Sequence, residues 1–135
     1  MSAWRRVALE KLPEYRRIID EARSPMALWI ELCLQFEDLY RTETLNDRLI
    51  RSFFDYARWC VEQPKEGEFL SDAGTAACCA FFEHLPKHDA IRRDLRRWLT
   101  REEFLGLRVT FGYHLSKEEF VSFESEFLSK SAKKR

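Results

Sequence analysis

Apolar side chains recur at intervals of three and four residues along most of the chain. This spacing places them on one face of a helix. The clearest examples lie near residues 25–41 and 44–62. No stretch alternates apolar and polar residues for long enough to predict a β-strand. The pattern therefore predicts an all-α protein.

Capping residues predict where several helices begin. Ser24 offers a hydroxyl cap, and Pro25 suits the first helical position. The sequences LTREEF and LSKEEF match in residue type at every position, and each is a capping box that begins at Thr100 or Ser116. Together with the apolar spacing, these signals predict seven helices, near 12–22, 25–41, 44–62, 71–85 and 88–98, and from 100 and 116 onward.

Short connections between predicted helices favour antiparallel neighbours. We therefore expect a compact bundle of about seven helices, arranged mostly as antiparallel helical hairpins. A short HEAT-like stack of helical repeats is the alternative, although no repeat of suitable length is visible beyond the two matching hexapeptides. The 135 residues fit a single domain over 1–135, with loosely ordered tails at 1–10 and 130–135.

Charge and cysteine usage narrow the class of partner and the compartment. The chain has 23 Lys plus Arg and 23 Asp plus Glu, which argues against nucleic acid or an anionic membrane as its main partner. No apolar run approaches the roughly 18 residues that span a bilayer, and no signal-peptide pattern is present. The four cysteines form no CxxC pair and lie in apolar segments. We expect a cytoplasmic protein with free thiols and no membrane partner.

Candidate chemistry is sparse. The residues Cys78, Cys79, His84 and His88 fit no known zinc spacing, because adjacent cysteines diverge on a helix and Pro86 separates the two histidines. The sequence contains no P-loop, no dinucleotide-binding glycine motif and no HExxH pair. It thus predicts no catalytic residue, no metal ligand and no cofactor. Whether the protein is an enzyme stays open, and the balance favours a non-enzymatic role.

A basic helical segment is a candidate interaction surface. Four arginines follow one another at i, i+1, i+4 and i+5 and are followed by a tryptophan: Arg92, Arg93, Arg96, Arg97 and Trp98. Such a face suits an acidic partner or nucleic acid. Nucleic acid is the less favoured partner. A helix-turn-helix formed by the last two predicted helices is weaker still, because the glutamates of the last helix would repel phosphates.

A second set of residues could line an internal polar pocket for a small molecule. Its members are polar groups in aromatic surroundings: Glu31, Tyr56, Arg58, His84 and His114. Such a pocket would make the protein a ligand-binding domain or an enzyme.

Several segments in this order resemble a known type of protein: LPEYRRIIDEARSPMALWIELCLQFEDLY, FFDYARWC, AFFEHLP and RRWLTREEF. Together they resemble a bacterial family of small all-helical domains that has no assigned activity. The resemblance covers residues from Leu12 to about Phe127. It implies a helical fold and a bacterial origin, and it assigns no functional residue.

The sequence favours a non-enzymatic protein–protein interaction module of a bacterial cytoplasmic protein. The first alternative is a small-molecule-binding or enzymatic helical domain. The second is a nucleic-acid-binding protein that uses the arginine face. A homodimer formed through an apolar outer patch also stays open.

Overall fold

A computed structural model of the chain describes residues 1–65 and 67–133. Within these ranges the protein is all-helical and contains no strand, which confirms the predicted fold class. The described α-helices are α1 (Ala3–Lys11), α2 (Arg16–Glu21), α3 (Pro25–Leu39), α4 (Asp47–Glu62), α5 (Ala73–Ala80), α6 (Asp89–Asp94), α7 (Arg101–Gly106), α8 (Arg108–Gly112) and α9 (Lys117–Lys133). Short 3₁₀ segments lie at Pro13–Tyr15, Phe69–Ser71, Phe82–Lys87 and Leu95–Arg97.

The predicted caps are confirmed. The Ser24 hydroxyl accepts a hydrogen bond from the Ala27 amide at 3.1 Å. The Thr100 hydroxyl accepts from the Glu103 amide at 3.0 Å, while the Glu103 carboxylate accepts from the Thr100 amide at 2.9 Å. Ser116 and Glu119 exchange the same two bonds. These three helix starts were predictable because each depends on a few neighbouring residues.

Helix number and helix ends differ from the prediction of about seven helices. The segment predicted near 71–85 is α-helical only to Ala80 and continues as the 3₁₀ segment Phe82–Lys87, which contains Pro86. The segment from 100 is divided at Leu107 into α7 and α8. Residues 1–10 were expected as a loose tail, but most of them form α1, in which Val7 and Ala8 are buried. Helix α9 extends to Lys133, and residues 134 and 135 lie outside the described part.

The chain divides into two compact units, residues 1–81 and 82–135. The single domain expected over 1–135 stays a prediction. None of the helices in the described ranges has the length and the apolarity needed to cross a membrane.

An aromatic core fills the N-terminal unit, where α5 packs against α3 and α4. The Trp29 ring stacks on Phe81 with the ring centroids 4.7 Å apart. Phe36 meets Phe54 and Phe81 edge to face, at 5.6 and 5.0 Å. Such pairs add to the stabilisation that burial provides, by about 1 kcal/mol each. These contacts fix α3, α4 and α5 as the centre of this unit.

Small residues let α5 approach α4 closely, as their run along α5 predicts. A Cβ atom added at Gly74 would lie 3.2 Å from the Cys60 carbonyl oxygen. That separation is shorter than an ordinary van der Waals contact, so the site favours glycine.

The C-terminal unit has its own phenylalanine core. Phe104 stacks on Phe127 with centroids 4.3 Å apart and meets Phe123 edge to face at 5.3 Å. Phe111 contacts Phe82 and Phe123 edge to face, at 6.0 and 5.6 Å. These buried rings hold α7, α8 and α9 together with the 3₁₀ segment Phe82–Lys87.

Candidate functional site

A groove in the C-terminal unit runs between the Pro86–Arg92 segment and one face of α9. It encloses about 670 Å³ and is open to solvent along one side. This volume lies in the range of known ligand-binding sites. Apolar side chains in its lining are Pro86, Leu115 and Phe123. The groove therefore offers an apolar floor with direct access from solvent.

Carboxylates dominate the charged part of the groove lining. Four acidic residues stand against two basic ones: Asp89, Glu118, Glu119 and Glu126 against Lys87 and Arg92. Arg92 bridges two of the acids, because its Nη1 lies 2.8 Å from Asp89 and its Nε lies 3.4 Å from Glu126. The guanidinium hydrogen bond lowers the pKa of the Asp89 carboxyl. The balance of charge in the groove is therefore negative.

A row of polar residues follows the rim of the groove along α9. Glu118, Ser122 and Glu126 are spaced four residues apart, so they lie on one helix face. The same three residues also line a second, shallower concavity on the neighbouring face, beside the exposed side chain of Val121. The sequence analysis missed these residues as a site. Their i, i+4, i+8 spacing was visible in the sequence. The opposing wall of the groove, at residues 86–92, could not be predicted from spacing.

Ion pairs neutralise much of the predicted arginine face. Besides the Arg92 pairs, Arg97 Nε lies 2.6 Å from Asp94. Arg93 is exposed, and Arg96 is half-buried. Trp98 is buried to 7% exposure, and its indole N–H donates to Asp94 at 3.0 Å. The Trp98 ring is therefore not a surface platform, although the sequence analysis placed it at the end of the candidate interaction surface.

The predicted pocket residues fall into separate places. In the N-terminal unit, Glu31 is exposed, whereas Tyr56 is fully buried. The Tyr56 hydroxyl donates to the Trp4 carbonyl at 2.8 Å, and Arg58 pairs with Asp55 at 3.2 Å. Tyr56 and Arg58 therefore serve different local contacts.

The other two members of the predicted pocket meet in the C-terminal unit. The rings of His84 and His114 stack with their centroids 4.9 Å apart. His114 Nε2 lies 3.1 Å from Glu83 Oε1. The sequence analysis missed Glu83, because nothing in its spacing connects it with a histidine so far along the chain.

An exposed apolar strip lies on α7 and α8. Leu105, Val109 and Tyr113 are 39%, 87% and 71% exposed. They follow at intervals of four residues in a segment that also contributes the buried Phe104 and Phe111 to the core. Exposed apolar side chains that adjoin one another are typical of interaction surfaces. The strip is therefore a competing contact surface, but it carries no charge that would indicate the nature of its partner.

Comparison with protein families, with functionally characterised proteins and with solved structures found no match to this chain. The resemblance to a bacterial helical family stays a prediction. Function must therefore be argued from the geometry of the chain itself.

Proposed function

We propose that this protein is a non-enzymatic interaction module whose C-terminal unit binds a basic, partly apolar segment of another protein. The observation that carries the proposal is the groove along α9, with its apolar floor and an excess of carboxylates. Opposite charges on two surfaces steer the encounter and fix the register of the complex.

The occupant is defined by the chemistry of the two walls. An aliphatic or aromatic side chain would cover the half-buried Leu115 above Phe123, which removes apolar surface from water. A lysine or arginine beside it would face Glu118, which is exposed and has no ion pair within the described residues. We therefore expect a short segment in which a cationic residue neighbours an apolar one.

Two features support binding over catalysis. The groove is open along one side, whereas catalytic sites exclude water from the reacting groups. Among the described residues that line it, Ser122 is the one hydroxyl group, and no histidine is present to activate it.

A compact bundle of helical hairpins, a bacterial origin and a cytoplasmic location remain part of this proposal.

Selection of short random peptides on the immobilised full chain tests the proposal. We expect the enriched peptides to combine lysine or arginine with a neighbouring aromatic or aliphatic residue. Ser122→Trp, which fills the groove, and Glu118→Lys, which reverses the charge, should each weaken binding about tenfold or more. Both positions are exposed, so the fold should tolerate the changes.

The matched control is Glu102→Lys. Glu102 is an exposed carboxylate on α7 that lies outside the groove lining, so this variant should bind as the parent chain does. Enriched peptides without a basic residue would contradict the proposal. Equal binding by all three variants would contradict it as well, and a stable dimer disrupted by Ser122→Trp would instead identify a second copy as the occupant.

A further inference from the structure

Three side chains with metal-binding atoms converge at one place in the C-terminal unit. Glu83 and His84 are neighbours in the 3₁₀ segment Phe82–Lys87, and His114 lies in the turn between α8 and α9. One carboxylate oxygen and one nitrogen from each ring all lie within 4.8 Å of one another. Such a combination of two imidazoles and a carboxylate is a donor set found in metal centres that use three protein ligands.

One donor pair in the cluster already has the separation that a bound ion requires. Zinc binds nitrogen and oxygen at about 2.0–2.2 Å, which in a tetrahedron places neighbouring donors about 3.3 Å apart. The Glu83 Oε1 and His114 Nε2 atoms are already 3.1 Å apart. The His84 ring stacks on His114 with a 25° angle between the ring planes, so it must turn about its side-chain bonds to direct a nitrogen toward the same ion.

Buried neighbours hold the backbone on both sides of the cluster. Phe82 precedes Glu83 and is 1% exposed, and Phe111 precedes His114 by one turn and is fully buried. The two rings meet edge to face with their centroids 6.0 Å apart. The donors therefore extend from two segments whose separation is fixed by the core.

We propose that Glu83, His84 and His114 bind one divalent transition-metal ion, with Zn²⁺ the best suited by its preference for imidazole and carboxylate donors. The fourth coordination position would face solvent and take water. The sequence predicted no metal ligand. This proposal departs from that prediction because the fold brings together two segments that are distant in sequence. Lys87 lies nearby, with its Nζ 3.5 Å from the His114 carbonyl oxygen, and its charge limits the affinity.

The alternative without a metal is a simple hydrogen bond, in which His114 donates to the Glu83 carboxylate. Calorimetric titration of the untagged chain with zinc chloride distinguishes the two. We expect one equivalent of Zn²⁺ per chain. His84→Ala, His114→Ala and Glu83→Gln should each weaken binding about tenfold or more, since each removes one of three ligands.

Two control variants test whether the ion is at this site. His88→Ala removes the third histidine of the chain, and a Cys78→Ser/Cys79→Ser double variant removes two half-buried thiols. Both should bind Zn²⁺ as the parent chain does. Replacing Zn²⁺ with Co²⁺ gives a second readout, because a nitrogen–oxygen donor set produces visible absorption without the thiolate charge-transfer bands of a cysteine site.

Three results would overturn the proposal: no saturable binding at millimolar zinc, undiminished binding by the His84→Ala/His114→Ala double variant, or loss of binding in the cysteine variant. Circular dichroism of each variant confirms that it has kept its helices. His114→Gln serves as a further test if the alanine variant unfolds.

Discussion

The hydroxyl of Tyr56, in the middle of α4, donates a hydrogen bond of 2.8 Å to the main-chain carbonyl of Trp4 in α1. Tyr56 is fully buried, so this bond ties the first helix to the core of the N-terminal unit. Arg5 adds a second link, because its Nη2 donates to the Ala22 carbonyl at 2.9 Å. The start of the chain is therefore part of the fold and not a loose tail.

Tyr56→Phe tests this link. The substitution keeps the ring and removes the hydroxyl that donates to the Trp4 carbonyl. We expect the free energy of unfolding to fall by about 1–2 kcal/mol, measured by urea denaturation. Tyr113→Phe is the matched control, because Tyr113 is 71% exposed and its variant should unfold at the parent's urea concentration. Equal stability of both variants would contradict the role given to Tyr56.

The buried thiols predict that the protein loses stability in alkali. Burial raises the pKa of Cys33 and of Cys60 to about 12, from an ordinary value of 9.0. The folded state holds these protons more tightly than the unfolded chain does. Their stabilising contribution is therefore complete below pH 9.0 and is lost as the pH rises toward 12.

Urea denaturation across this pH range measures the effect. Above pH 9.0, we expect the free energy of unfolding to fall by on the order of 1 kcal/mol per pH unit for each thiol. Cys60→Ala lowers stability at neutral pH but removes one of these two contributions, so its curve should fall less steeply. If the free energy of unfolding falls with pH at the same slope for Cys60→Ala and for the parent chain, the contribution assigned to the Cys60 thiol is contradicted.

The close approach at Gly74 predicts opposite effects at two glycines. Gly74→Leu forces a side chain against the Cys60 carbonyl and should lower the free energy of unfolding by about 1–3 kcal/mol. Gly106→Ala, in α7, meets no atom within 4 Å and should be neutral or slightly stabilising, because alanine favours the helix. Thermal denaturation of both variants checks this, and an unchanged midpoint for Gly74→Leu would show that α5 can move away from α4.

The ion pairs of the arginine face predict weak or no binding to nucleic acid. Arg92 and Arg97 are held by Asp89, Glu126 and Asp94, so their charges are largely compensated. In a gel mobility-shift assay at low salt, we expect no retention of duplex DNA or of single-stranded RNA. Retention that Arg93→Glu abolishes would show that the exposed arginines form a nucleic-acid site despite these pairs.

Local signals in the sequence were sufficient for the fold class and for three helix starts, and they failed where distant residues decide the structure. The caps at Ser24, Thr100 and Ser116 each depend on a residue three positions on, so they were predictable. The division of the predicted 71–85 helix near Phe81 depends on tertiary packing and on Pro86, whose effect extends back along the chain.

The candidate sites show the same limit more strongly. Their four-residue spacing showed that Glu118, Ser122 and Glu126 share a face of α9, but not that this face borders a groove. His84 and His114 were both singled out as polar residues, yet their partner Glu83 was not. Its role depends on a contact between segments that only the folded C-terminal unit brings together.

Mapping the bound peptide by nuclear magnetic resonance tests the central claim most directly. The full chain is labelled with ¹⁵N and titrated with a peptide selected on it. We predict amide shift changes concentrated at residues 86–92 and 115–126, which form the two walls of the groove. Changes confined to the exposed strip of Leu105, Val109 and Tyr113, or to residues 1–81, would contradict the assignment of the groove as the binding surface.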